Sequence, residues 1–281
     1  MKTLNGKRAL VTGASSGIGR AIALELARHD AQLVISGRRT DALNKLADEI
    51  ARLGKPRPTC LSADLSNPED AARLAIESAR ALGGIDLLIN NAGIGIAGTQ
   101  VEVGDDAAAR ALFETNYWAP LRLLRALGPD MIARAEGTVV NVASIGAYVQ
   151  LPRTGHYASS KAALAVATEM LHRELDGTGV HALLVLPGPI DTPMLDQGKQ
   201  LSDTAKALRF SPQGTPEELA RRVVKAILRQ RKTLVYPSPL GLTRHLPTFA
   251  NWVTRAVSGP AIRGQGLLVG ESPSTAKTAI D

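Results

Sequence analysis

Short, uninterrupted apolar runs alternate with longer stretches of helical spacing from the first residues onward. Residues 8–12, 32–36, 58–63, 85–89, 138–142, 180–186 and 233–236 read as buried strands, because the apolar character is continuous rather than alternating. Between them the spacing becomes helical. Ile18, Ile22, Leu24 and Leu26 mark a helix over 17–29, and further helices are predicted over 40–53, up to about Leu82, and over 156–175. Asn67-Pro68-Glu69-Asp70 is a helix start, with a capping Asn, a Pro at the first helical position and acids at the positive end of the dipole. Thr215-Pro216-Glu217-Glu218 repeats that signal as a capping box. One long helix is predicted over 105–134, kinked at Pro120. Strands alternating with amphipathic helices imply an α/β protein with a mostly parallel, doubly wound sheet of seven strands and helices on both faces.

The chain has 281 residues, 44% of them hydrophobic and 21% charged, which is a globular composition with enough length for a full core. Cys60 is the single cysteine, so an internal disulfide and a cysteine-rich zinc site are both excluded. His156 and His172 have no carboxylate or thiol partners at metal spacing, and no metal is expected. No apolar run approaches the roughly 18 residues that span a bilayer, and the N-terminus enters a strand with no apolar leader, so a cytoplasmic location is expected. The charge of +7 is unevenly spread. Residues 219–270 contain no Asp or Glu and nine Lys or Arg, while the remainder sums to −2.

Thr12-Gly13-Ala14-Ser15-Ser16-Gly17-Ile18-Gly19 lies at the junction of the first strand and first helix. Glycines there allow a tight turn and close backbone approach to a pyrophosphate, and the helix start offers unpaired N–H groups. Asn90-Asn91-Ala92-Gly93 follows the fourth strand, Asn116 lies on the long helix, and Ser144 lies just past the fifth strand. Tyr157-Ala158-Ser159-Ser160-Lys161 comes thirteen residues after Ser144, and Pro187-Gly188-Pro189-Ile190-Asp191-Thr192 follows the sixth strand. In this order and at these intervals, residues 5–236 resemble the short-chain dehydrogenase/reductase family, whose glycine motif is Thr-Gly-x-x-x-Gly-x-Gly. The resemblance implies a Rossmann-type fold and a nicotinamide cofactor. It implies that Gly13, Ser15, Ser16, Gly17, Ile18 and Gly19 line the cofactor and that Asn91, Ala92 and Gly93 flank it. Asp64 and Leu65 would contact the adenine, although Asp64 also reads as a turn residue. Pro187, Gly188, Ile190 and Thr192 would form the nicotinamide end, with Thr192 and the backbone near Ile190 on the carboxamide.

The second strand ends Ser36-Gly37-Arg38-Arg39. An acid at this place hydrogen-bonds a ribose 2′-hydroxyl, whereas a guanidinium grips a 2′-phosphate. Gly37 stands where NAD-using relatives carry Asp. The reading is NADP(H), with Arg38 the first candidate and Arg39 the second; the alternative is that both are solvated. Ser16 occupies the place where some NADP-using relatives carry a basic residue.

Tyr157 and Lys161 are four apart on a predicted helix and share one face. A Tyr phenol is too weak an acid to exchange protons readily at neutral pH, and a neighbouring ammonium lowers its pKa. By resemblance Tyr157 is the general acid or base and Lys161 lowers its pKa and holds the nicotinamide ribose. Ser144 polarises the substrate oxygen. Asn116 positions a water in a proton relay, or holds the helix bend. The expected activity is hydride transfer between NADP(H) and a carbonyl or secondary alcohol, with an apolar substrate suggested by Tyr148, Val149, Leu151, Met194, Leu195, Leu201, Ala205, Leu208 and Phe210. A 3-oxoacyl-thioester reductase and an NADPH-sensing binding protein are the alternatives.

Residues 1–236 are expected to form one catalytic domain with a substrate flap at about 192–214, and 237–281 a basic appendage. The appendage carries Phe249, Trp252, Val253, Ala256 and Val257 at amphipathic spacing. It reads as a cap over the pocket or dimer, as an attractor of anionic substrates, or as a peripheral membrane contact through 237–263. No nucleic-acid-binding module accompanies the basic charge. The resemblance implies a homodimer through the helices around 105–134 and 156–175.

Overall fold

The computed structural model describes residues 3–149, 151–199 and 211–241, together with 243, 246, 248 and 251. Seven parallel strands lie in the order β3-β2-β1-β4-β5-β6-β7. They are β1 (Arg8–Thr12), β2 (Gln32–Gly37), β3 (Thr59–Ser62), β4 (Leu87–Asn90), β5 (Gly137–Val142), β6 (Val180–Pro187) and β7 (Thr233–Tyr236). Every residue of β4 and β5 is buried, as continuous apolar runs require when both sheet faces are covered.

Helices α1 (Gly17–Arg28), α2 (Thr40–Arg52) and the late helix Pro216–Leu228, here α9, carry Ile22, Leu26, Leu43, Leu46, Val223 and Ile227 into one face. Helices α3 (Pro68–Leu82), α6 (Ala119–Ala133) and α7 (Gly155–Glu174) bring Leu74, Leu123, Met131 and Leu171 to the other. Both caps form, but at Thr215 the reciprocal half of the expected capping box is missing, because the Glu218 carboxylate pairs with Arg221 and Arg222. The Asn67 side chain accepts from the Glu69 N–H at 3.0 Å, and Thr215 accepts from Glu218 N–H at 3.3 Å. Because the strands are parallel, the loops after β1, β4, β5 and β6 share one edge. The order reverses between β1 and β4, which opens a crevice there.

The long helix over 105–134 is corrected. After a short helix α4 (Gln100–Val103), the segment divides into α5 (Ala107–Phe113), a π turn (Glu114–Trp118) and α6. The irregularity precedes Pro120 rather than centring on it. The Ala119 N–H reaches back five residues to the Glu114 carbonyl, and Pro120 has no N–H with which to continue the ladder. Residues 200–210 of the flap, and Phe249, Trp252, Val253, Ala256 and Val257 of the appendage, lie outside the described residues; a short helix α8 (Pro193–Lys199) begins the flap.

At the opposite edge, Asp86 ties β1 and β4 to the end of α6. Its carboxylate accepts from Arg8 Nε at 2.9 Å, Arg8 Nη2 at 2.6 Å and Arg134 Nη1 at 2.7 Å. Burial alone would push this carboxyl up, but hydrogen bonds from the Arg8 side chain and backbone and from Arg134 outweigh it and hold it below the usual carboxylate range. A depressed carboxyl stabilises the fold above its unfolded pKa, and the contribution disappears as pH falls through the folded value. Asp86→Asn is therefore expected to cost about 2–3 kcal/mol at neutral pH. In denaturant titrations the deficit should shrink below about pH 4. A deficit independent of pH would refute the electrostatic origin.

Candidate active site

The glycine loop is closed from the side by the loop after β4. Thr12 Oγ1 accepts from the N–H groups of Asn91 at 3.0 Å and Ala92 at 3.1 Å. The Asn91 amide donates back to the carbonyls of Thr12 at 3.0 Å and Gly13 at 3.3 Å. Gly13 has φ +65°, and a Cβ on it would stand 2.8 Å from Ala92 Cα. A Cβ on Gly93 would meet Lys161 Nζ at 3.1 Å and Asn116 Oδ1 at 3.3 Å. One on Gly17 would meet Thr192 Cγ2 at 3.0 Å. The glycines sit where the loops after β1, β4 and β6 converge.

The start of α1 differs from that of α3 or α9. Ser16 is extended and makes no capping bond, and the first turn holds no acid. The first amides of α1 are left without a side-chain acceptor, which suits a bound anion. The cradle and this uncapped helix start together fit the pyrophosphate of a dinucleotide.

Ser144 lies two residues beyond β5, with its Oγ accepting from the Gly146 N–H at 3.0 Å and close enough to the Tyr157 phenol to favour its ionisation. Tyr157 and Lys161 stand one turn apart near the start of α7, with Nζ 6.0 Å from the phenol ring centre. The buried Lys161 ammonium donates to the Val142 carbonyl at 3.0 Å. Burial lowers its pKa to about 8. Tyr157 moves the other way: burial pushes the phenol up, and Ser144 only partly opposes this. Tyr157 is therefore a protonated donor at neutral pH in the protein alone, with burial and not the neighbouring Lys161 setting the direction.

Asn116 falls in the π turn and is fully buried. Its Oδ1 accepts from the Ile94 N–H at 2.9 Å, and its amide donates to the Ile94 carbonyl at 2.9 Å and to Ser160 Oγ at 3.0 Å. Ser160 in turn donates to the Tyr157 carbonyl at 2.8 Å. These bonds tie the π turn to the loop after β4 and to α7.

The other expected residues divide. Arg38 and Arg39 are both exposed at the end of β2, and Arg39 Nη2 lies 3.3 Å from the Ser15 carbonyl of the glycine loop. Asp64 forms a turn, accepting from the Ser66 N–H at 3.0 Å and hydroxyl at 2.8 Å. Leu65 buries its side chain in the core, so only its backbone is available to an adenine. Pro187 ends β6, and the Gly188 N–H donates to the Tyr236 carbonyl at 2.7 Å. Ile190 is buried and bridges to Gly214, while the Thr192 hydroxyl donates to the Ile190 carbonyl at 3.1 Å. In the flap, Met194 is exposed and Leu195 buried. After β7 the chain returns to this edge: Leu240 packs on Gly188, and Asn251 Nδ2 donates to the Tyr148 carbonyl at 3.3 Å.

Sequence reasoning assigned no role to Thr12 or Ser160. Ser160 was legible as a hydroxyl three residues from Tyr157 on a helix. Thr12 carries no local signal, because its partners are 79 and 80 residues away.

The sequence profile described as short chain dehydrogenase matches residues 7–202. A relative from Arachis hypogaea, 11-beta-hydroxysteroid dehydrogenase A, is 34% identical over 264 residues, covering 89% of this chain and 75% of its own. A short chain dehydrogenase/reductase from Burkholderia phymatum in complex with NAD superposes with TM-score 0.80 at 27% identity, over 92% of this chain and 99% of that one. A short-chain dehydrogenase from Sphingobium yanoikuyae in complex with NADPH does so with TM-score 0.75 at 25% identity, over 93% and 98%. With the glycine cradle, Ser144, Tyr157 and Lys161 gathered at one sheet edge, these matches place the chain in the short chain dehydrogenase family of oxidoreductases.

Proposed function

We propose that the protein is an NADP(H)-dependent oxidoreductase acting on an apolar ketone or the corresponding secondary alcohol. The observation that carries this is the convergence of Ser144, the Tyr157 phenol and the Lys161 ammonium beside a cradle that side chains would fill. When bound, the cofactor supplies or accepts the hydride. Ser144 holds the substrate oxygen, and Tyr157, protonated at neutral pH, gives that oxygen its proton in the reducing direction. Lys161, anchored on the Val142 carbonyl, carries positive charge next to the phenol and stabilises the phenolate left behind. The cradle glycines and the first amides of α1 would hold the pyrophosphate.

The preference for NADP(H) rests on the end of β2. Gly37 offers no carboxylate to a ribose hydroxyl, and Arg38 and Arg39 stand exposed where a 2′-phosphate would lie, Arg39 already against Ser15. An apolar substrate is supported by the partly exposed Tyr148, Val149 and Leu151 and the exposed Met194 near the site, and by the steroid named for the Arachis relative.

The test is cofactor oxidation with a panel of ketones, aldehydes, quinones and acyl thioesters, using NADPH and NADH. NADPH is expected to be preferred with an apolar ketone. Arg39→Ala and Arg38→Ala should each lower kcat/KM for NADPH about tenfold and leave NADH unchanged, the loss of one charge-assisted contact. Equal losses with both cofactors would remove the phosphate-binding role. Cofactor binding without turnover on any carbonyl would favour the sensing protein instead.

A further inference from the structure

Three side chains outside the reacting group form one buried hydrogen-bonded chain between the sheet and α7. They are Asn90 at the end of β4, Asn141 in β5 and Thr168 in α7, exposed by 3%, 1% and 0%. Asn90 Nδ2 donates to Asn141 Oδ1 at 2.8 Å, Asn141 Nδ2 to Thr168 Oγ1 at 2.9 Å, and the Thr168 hydroxyl to the Leu164 carbonyl at 2.6 Å. The direction is determined at one end. The hydroxyl has a single proton, directed to Leu164, so it must accept from Asn141. That turns the Asn141 oxygen toward Asn90. The chain ends at Asn90 Oδ1, a buried acceptor with no partner among the described residues.

The apolar residues flanking it along β5 and α7, Val139, Ala143, Leu164 and Ala165, are all buried. Leu or Val would pack in such a layer equally well, and an unpaired amide there costs about 1–3 kcal/mol. What the polar chain adds is direction. Apolar contacts tolerate sliding of a helix on a sheet, whereas the one bond that crosses from sheet to helix, Asn141 to Thr168, favours one position of α7 along β5, its two ends oriented by Asn90 on β4 and by the Leu164 carbonyl within α7. Each anchored residue leads into the site. Asn90 precedes Asn91, which holds the Gly13 carbonyl. Asn141 precedes Val142, whose carbonyl takes Lys161, and lies three residues before Ser144. Thr168 is seven residues, two turns, beyond Lys161.

We propose that Asn90, Asn141 and Thr168 are positioning residues, a buried tie that sets the depth at which α7 carries Tyr157 and Lys161 against Ser144 and the Val142 carbonyl. The inference rests on the proton-transfer reading of Tyr157 given above. None of the three touches the reacting atoms.

Thr168→Val keeps the shape and removes the hydroxyl. In the full chain it is expected to lower kcat at least fivefold, to leave KM for the cofactor within twofold, and to shift the pH profile of kcat. Thr168→Ser should restore wild-type behaviour. The ultraviolet tyrosinate titration, with that of Tyr157→Phe subtracted, should move in the same direction in Thr168→Val. This titration needs no turnover, so it still reports on the tie if the functional reading fails. Should Thr168→Val not fold, Asn141→Leu/Thr168→Val removes both partners together and carries the same expectations. A folded variant with reduced thermal stability but wild-type kcat, pH profile and titration would overturn the proposal and leave a structural role alone. Failure of both variants to fold would overturn it likewise.

Discussion

Tyr157→Phe is expected to lower kcat about a thousandfold, near 4 kcal/mol of transition-state stabilisation, while cofactor affinity stays within about twofold. The two parts of this expectation have separate physical sources. The phenol is the protonated group beside Ser144, where a substrate oxygen would be held. Lys161, by contrast, is anchored on the Val142 carbonyl at 3.0 Å and not on the phenol, so removing the hydroxyl leaves the ammonium in place. The glycine cradle is likewise assembled by Thr12 and Asn91 without Tyr157. Steady-state turnover and a fluorescence titration of the cofactor measure the two halves. A variant retaining a tenth or more of kcat would remove Tyr157 from the role of proton donor.

Gly19→Ala is expected to weaken cofactor binding at least a hundredfold and to destabilise the fold by about 1–3 kcal/mol, as overpacking does. Gly19 belongs to the first turn of α1, where Ala would ordinarily improve helix stability by about 1 kcal/mol. Here the added methyl would fall inside contact distance of the Gly13 carbonyl oxygen and the Asn91 amide nitrogen. The first is backbone and cannot rotate away, and the second is held on Thr12 and Gly13. The loop must therefore open, and its opening spreads the amides that would face a pyrophosphate. Gly128→Ala in α6 is the matched control. Its methyl would meet only the flexible Leu124 side chain, at 3.2 Å, and it is expected to be neutral or slightly stabilising. Equal cofactor affinity in Gly19→Ala and wild type would show that the cradle is not the dinucleotide site.

Much of this site was legible along the chain because its signals are local. A glycine loop between a strand and a helix, a capping Asn before a Pro, and a Tyr and Lys four apart depend on residues within a turn of one another. Backbone geometry places such residues together whatever the rest of the chain does. The parallel sheet followed in the same way, from apolar runs too continuous for a strand with one face in water.

The departures all involve partners distant in sequence. The π turn occurs where Asn116 meets the backbone of Ile94, 22 residues away, and Pro120 explains only where the ordinary ladder stops. Arg39 meets Ser15, 24 residues back. Leu65 is buried by helices whose packing its neighbours do not announce. The Asn141 and Thr168 side chains pair across 27 residues. Most consequential is the acidity of Tyr157. A nearby Lys can be read from spacing, but desolvation depends on every segment that closes over the phenol, and it pushes the phenol's pKa up. The sequence by itself determined which elements form and which side chains share a helix face, because those follow from short-range geometry. Only the tertiary structure decided which loops close the cradle, how the helix before α6 is wound and how strongly the Tyr157 phenol holds its proton, because these depend on contacts and burial contributed by the whole fold.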